Sequence, residues 1–103
     1  MNVETTRLRT FTTPGFIEAC GGHIQAAALV ARVRPLLGAP GAEPSWIIGD
    51  PTVSAPQRDD GGRTLKIPTR GANFYAIRDD HEPGCTCGCG GGSVATFLLP
   101  EEY

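Results

Sequence analysis

Between residues 23 and 37 the apolar positions Ala26, Leu29, Val30, Val33 and Leu37 recur at i, i+3, i+4, i+7 and i+11, which is one stripe of an α-helix. The run Ala26-Ala27-Ala28 adds helix propensity, and Pro35 disfavours helical backbone at Arg34, so the pattern predicts a helix over about 23–34. The same stretch also alternates as a strand, with Leu29, Ala31 and Val33 facing one way. Periodicity leaves that alternative open.

Elsewhere the apolar runs are short and rich in β-formers. Residues 3–13 read as a strand closed by a Thr13-Pro14-Gly15 turn, and 16–22 ends in a break at Gly21-Gly22. Further strands are predicted at 45–49, 64–67, 73–78 and 93–99, separated by Gly- and Pro-containing loops at 38–44 and 51–63. The fold class expected is α+β: one domain over 1–103, with one helix packed on a short antiparallel sheet and much loop. An all-β barrel or sandwich follows if 23–34 is extended instead. Strand alternation assigns Trp46, Phe74 and Phe97 to the core, with an interface role as the other reading of the single tryptophan.

Composition sharpens this picture. There are 14 glycines and 9 prolines in 103 residues, too many for a coiled coil and without the period of a collagen. Large apolar residues are too few for the core of a sizeable enzyme. No apolar run approaches the ~20 residues of a membrane span, so a membrane partner is not expected. A thin core of this kind leans on a metal, on disulfides or on a partner surface. Met1-Asn-Val-Glu-Thr-Thr-Arg7 lacks the pattern of a secretory signal, which points to an intracellular chain, free or within a larger particle, with its cysteines reduced.

The net charge is −2, with all nine Lys and Arg in residues 1–78 and five acids without a base in 79–103. No basic run is present, so nucleic acid is not the expected partner. The sequence contains no phosphate-binding glycine loop and no nucleophile elbow, and no small-molecule substrate is evident.

The concentrated chemistry lies in residues 79–92, a Cys/Gly-rich loop if the last two strands pair antiparallel. It holds Cys85, Cys87 and Cys89, with His81 four positions upstream; the remaining cysteine, Cys20, lies three residues before His23. Thiolate and imidazole are the preferred ligands of tetrahedral zinc, so the six candidate ligands are Cys85, Cys87, Cys89, Cys20, His23 and His81. The spacing is not the common pair of Cys-x-x-Cys motifs. Fully extended, the three clustered cysteines spread over about 13 Å, so the loop must curl to share one ion, and its glycines permit that. Ordinary loop residues, disulfides, an iron–sulfur cluster and a modified peptide core are the competing readings.

The function expected is a non-enzymatic structural or interaction domain with a Cys/His zinc site, serving as a subunit among other protein subunits of a larger assembly such as a virus particle. The alternative is a small thiol- or metal-dependent enzyme or redox protein that uses the cysteines directly.

Overall fold

The computed structural model describes residues 8–39, 41–71, 73–81 and 92–103. In chain order the elements are β1 (Leu8–Thr12), α1 (Pro14–Cys20), α2 (His23–Val33), β2 (Trp46–Gly49), β3 (Gln57–Asp59), β4 (Thr64–Ile67), β5 (Phe74–His81) and β6 (Gly92–Leu98). Six strands form one sheet in the order β1-β6-β5-β2-β4-β3. The class is α+β.

Two details differ from the pattern-based expectation. The sheet is mixed: β1 pairs with β6 and β2 with β4 in parallel, while the other three pairings are antiparallel. Alternation within one strand says which side chains are buried and nothing about the direction of a neighbour. The parallel β2–β4 pair arises because β3, hidden in what reads as a polar loop, hairpins onto the outer edge of β4.

Among the described residues there are also two α-helices, not one. Thr13-Pro14-Gly15 is a helix start, not the turn its composition suggests. Thr13 is the N-cap of α1, its hydroxyl accepting from the Phe16 N–H at 3.1 Å, and Pro14 sits in the first turn where its missing N–H is harmless. At seven residues, α1 is too short to show a periodic stripe. It stops at Gly21, whose φ of +101° needs glycine, and Gly22 at +132° turns the chain into α2.

α2 confirms the helical stripe and excludes the all-β alternative. It ends at Val33, yet Arg34 keeps helical backbone and the chain tightens through a further turn to Leu36 despite Pro35. Both helices pack on one face of the sheet. There Phe16, Ala26, Val33 and Leu37 meet Ile47, Leu65, Ile67, Phe74, Ala76, Ala95 and Phe97. The centre is aromatic: Phe16 lies 5.5 Å from Phe97 and 5.8 Å from Phe74, ring centre to ring centre. Phe74 and Phe97 are the core residues expected, whereas Trp46 belongs to the opposite face. Among the described residues, no helix is long and apolar enough to cross a membrane.

Candidate functional site

The face of the sheet turned away from the helices is organised in rows by the strand register. One row runs across all six strands as Phe11, Thr96, Ile77, Trp46, Thr64 and Asp59; the next carries Leu98, Tyr75, Ile48, Lys66 and Gln57. The middle of both rows is apolar or aromatic; charge enters towards β3 and β4, and in the neighbouring row Arg9–Val94–Asp79 at β1 and β5. Trp46 packs edge-on to Tyr75 at 5.6 Å and to Tyr103 at 5.2 Å, and the two tyrosines are 6.0 Å apart. Tyr103 is 76% exposed and Phe11 56%. The result is an aromatic, partly open surface opposite a closed core.

Tyr103 reaches this face because Glu102 anchors the turn before it. One Glu102 carboxylate oxygen, Oε1, accepts from the Thr13 hydroxyl at 2.5 Å and from the Leu99 N–H at 2.9 Å. The Thr13 bond is the main reason the Glu102 carboxyl is held below its ordinary value. Sequence alone suggests a frayed acidic end or a docking tail for Pro100-Glu-Glu-Tyr103; the tail instead closes on the cap of the chain's own α1.

The expected zinc ligands divide into three groups. Cys85, Cys87 and Cys89 lie outside the described residues. Cys20 ends α1 and lines a pocket shared with Leu29 and Arg32, while His23, the first residue of α2, lines a separate depression with Thr12 and Ile17. The Gly21-Gly22 bend therefore sends the two side chains to different places. His81 ends β5, paired with Gly92 at the start of β6. That register makes residues 82–91, with their three cysteines, the link between the two strands, as the antiparallel pairing requires.

The far end of α2 is tied to this hairpin. Arg34 Nη2 donates to the Leu8 carbonyl at 2.6 Å, and Leu8 lies opposite Ser93, itself opposite Asp80. His23 stands at the other end of α2, an 11-residue helix of about 16 Å. Among the described residues, no three of His, Cys, Asp and Glu are grouped to hold a metal. Burial pushes the Cys20 thiol up, the direction that depletes thiolate and weakens a nucleophile.

One structural residue escaped the sequence reading. Arg78 is only 6% exposed and lies on the helix side of β5. Its signal is parity: residue 78 is in phase with Phe74 and Ala76, two core positions.

Known protein families, curated proteins and solved structures contain no match to this chain.

Proposed function

We propose that the chain is a non-enzymatic interaction domain, a subunit that packs on a neighbouring protein of a larger assembly through the helix-free face of its sheet. The observation that carries this is the cluster of Trp46, Tyr75 and Tyr103 flanked by exposed Phe11. Tryptophan, tyrosine and phenylalanine are enriched at protein interfaces, where large rigid rings bury much area at little entropic cost. The helix-side core forms without these aromatic residues, and Phe11 and Tyr103 remain exposed on the other face, where a partner can cover them.

Zinc belongs to the same proposal, with Cys85, Cys87 and Cys89 as three ligands. His81 is favoured as the fourth over Cys20 and His23 by its place at the start of the linking segment. A Cys₃His set is a common closed, structural zinc site.

Size-exclusion chromatography of the chain expressed in its native cell tests the assembly. The chain is expected to elute far above its own 10.8 kDa. Phe11→Ser combined with Tyr103→Ser is expected to release it at its own mass with an unchanged circular dichroism spectrum. A wild-type chain that elutes alone, or a double variant that stays in the complex, overturns the assignment.

A further inference from the structure

On the helix side of the molecule, away from the aromatic face, a pocket of about 440 Å³ opens between the helices and the β4–β5 connection. Its walls are Ala19 and Cys20 from α1, Leu29 and Arg32 from α2, and Pro68 and Arg70 from the connection. The volume lies within the range of ordinary small-molecule sites, roughly 300–1,000 Å³.

The charge pattern of this pocket is one-sided. Arg32 and Arg70 both line it and no acidic side chain does. Among the other described cations, Arg63 pairs with Glu43, Lys66 with Asp59 and Arg78 with Asp80, whereas Arg9, Arg34 and Arg58 form no ion pair with a described residue. Arg32 and Arg70 have no ion-pair partner among the described residues. Two guanidinium groups from separate elements line one cavity, and an anion bound there is attracted to both. The guanidinium fork matches phosphate and carboxylate oxygens, with two parallel N–H donors for each anion edge.

The rest of the lining mixes polar Gln25 and Thr69 with apolar residues. Ala19, Leu29 and Pro68 offer surface to a carbon skeleton, and the cavity far exceeds a bare phosphate. We propose that this pocket binds a small organic phosphomonoester, its dianionic phosphate held by Arg32 and Arg70 and its apolar body against Leu29 and Pro68. The site is independent of the sheet face and stands if the docking assignment fails.

Three probes separate the parts of the proposal: phenyl phosphate, inorganic phosphate, and phenol as the apolar body alone. Titration calorimetry on the full chain is expected to give phenyl phosphate a Kd of about 1 mM or tighter, with the other two at least about tenfold weaker. Arg32→Gln and Arg70→Gln, both at exposed positions, are each expected to weaken phenyl phosphate about tenfold, the scale of one lost charge-assisted hydrogen bond. Cys20 supplies an independent readout. Phenyl phosphate is expected to slow its alkylation by iodoacetamide, followed by peptide mass spectrometry that resolves it from the other three cysteines. Equal binding of inorganic phosphate, binding that survives in the double arginine variant, or undiminished Cys20 alkylation under saturating phenyl phosphate overturns the proposal. So does the absence of binding.

Discussion

Arg78 and Asp80, two positions apart on the helix side of β5, hold the same loop from two directions. Arg78 Nη1 and Nη2 donate to the carbonyls of Gly38 and Ala42, while Asp80 Oδ2 accepts from the Gly41 N–H at 2.9 Å. The two side chains also face each other, Arg78 Nε 3.3 Å from Asp80 Oδ1. Nε makes no hydrogen bond there, so that contact acts through charge alone. Ser93 completes the group from β6 by donating to Asp80 Oδ1 at 2.7 Å. The chain leaving α2 is thus fastened to the sheet before it enters β2.

Removing the arginine leaves two loop carbonyls without donors beside a buried apolar gap. Arg78→Met is expected to destabilise the domain by about 3 kcal/mol, most of it from the unsatisfied carbonyls because Asp80 is partly solvated. Arg78→Lys is expected to restore little, since an ammonium lacks the planar fork that reaches both carbonyls. Urea denaturation followed by circular dichroism measures both. A lysine variant as stable as the parent contradicts the fork argument.

Asp80 gives the fastening a pH dependence with a definite sign. Burial works to raise its carboxyl, but the Ser93 hydroxyl, the Gly41 N–H and the positive charges of Arg78 and His81 outweigh that and hold it below its ordinary value of 3.8. A carboxyl depressed in the folded state contributes stability that is complete above its unfolded value and is lost as pH falls through the folded one. Thermal midpoints of the parent are therefore expected to fall more steeply than those of Asp80→Asn below about pH 4. The two curves are expected to run parallel from there to neutrality. Asp50 and Glu102 are also depressed, so the difference between the curves, not either alone, reports Asp80. Identical slopes in acid rule out a coupled Asp80.

Gly49 is required by a close approach. A Cβ built there would lie 2.1 Å from Cε1 of Phe74, the ring that fills the core opposite it in the β2–β5 register. Gly49→Ala is expected to destabilise by about 1–3 kcal/mol as Phe74 is forced off its position. Phe74→Leu alone also destabilises, but the double variant is expected to lose less than the sum, since the leucine leaves room for the methyl group. Chemical denaturation of the four proteins checks this, and strict additivity refutes the steric account.

Those residues also mark how far the sequence could be followed. The stripe Ala26, Leu29, Val30 and Val33 is legible because it repeats one face along an 11-residue helix, while Leu37 lies beyond its end on extended backbone. β2, β4, β5 and β6 were legible from short apolar runs between glycines and prolines. α1 was not, because Thr13 and Pro14 serve equally as turn formers and as a helix start, and seven residues hold no second repeat. Alternation puts Trp46 in the core, because it separates the two faces of a strand without saying which one the helices cover. Tyr103 came to the site through a contact of Glu102 with Thr13, 89 residues away, and no local pattern encodes such a pairing. Arg78 carried a signal in its parity with Phe74 and Ala76, but its partners are main-chain carbonyls that composition does not reveal.

The cysteine cluster shows how topology narrows a choice that spacing left open. The proposed zinc site has six candidate donors, and the fold separates the three that lie among the described residues. Cys20 and His23 flank a two-glycine bend and face different cavities, at the end of α2 far from the β5–β6 hairpin. His81 stands where the segment bearing Cys85, Cys87 and Cys89 leaves β5. Emission spectroscopy of the purified chain is expected to find about one zinc per molecule, one closed four-ligand site. Cys87→Ser is expected to abolish it, whereas Cys20→Ser and His23→Ala keep full occupancy. His81→Ala is expected to weaken zinc by at least tenfold in competition with a chromophoric chelator, because three thiolates must then take water as the fourth ligand. Chelation is also expected to lower the thermal midpoint of the parent, since a site present only in the folded chain adds its binding energy to folding. Zinc lost from Cys20→Ser would tie the cluster to the helices and refute the local site; a chain without zinc would refute the metal altogether.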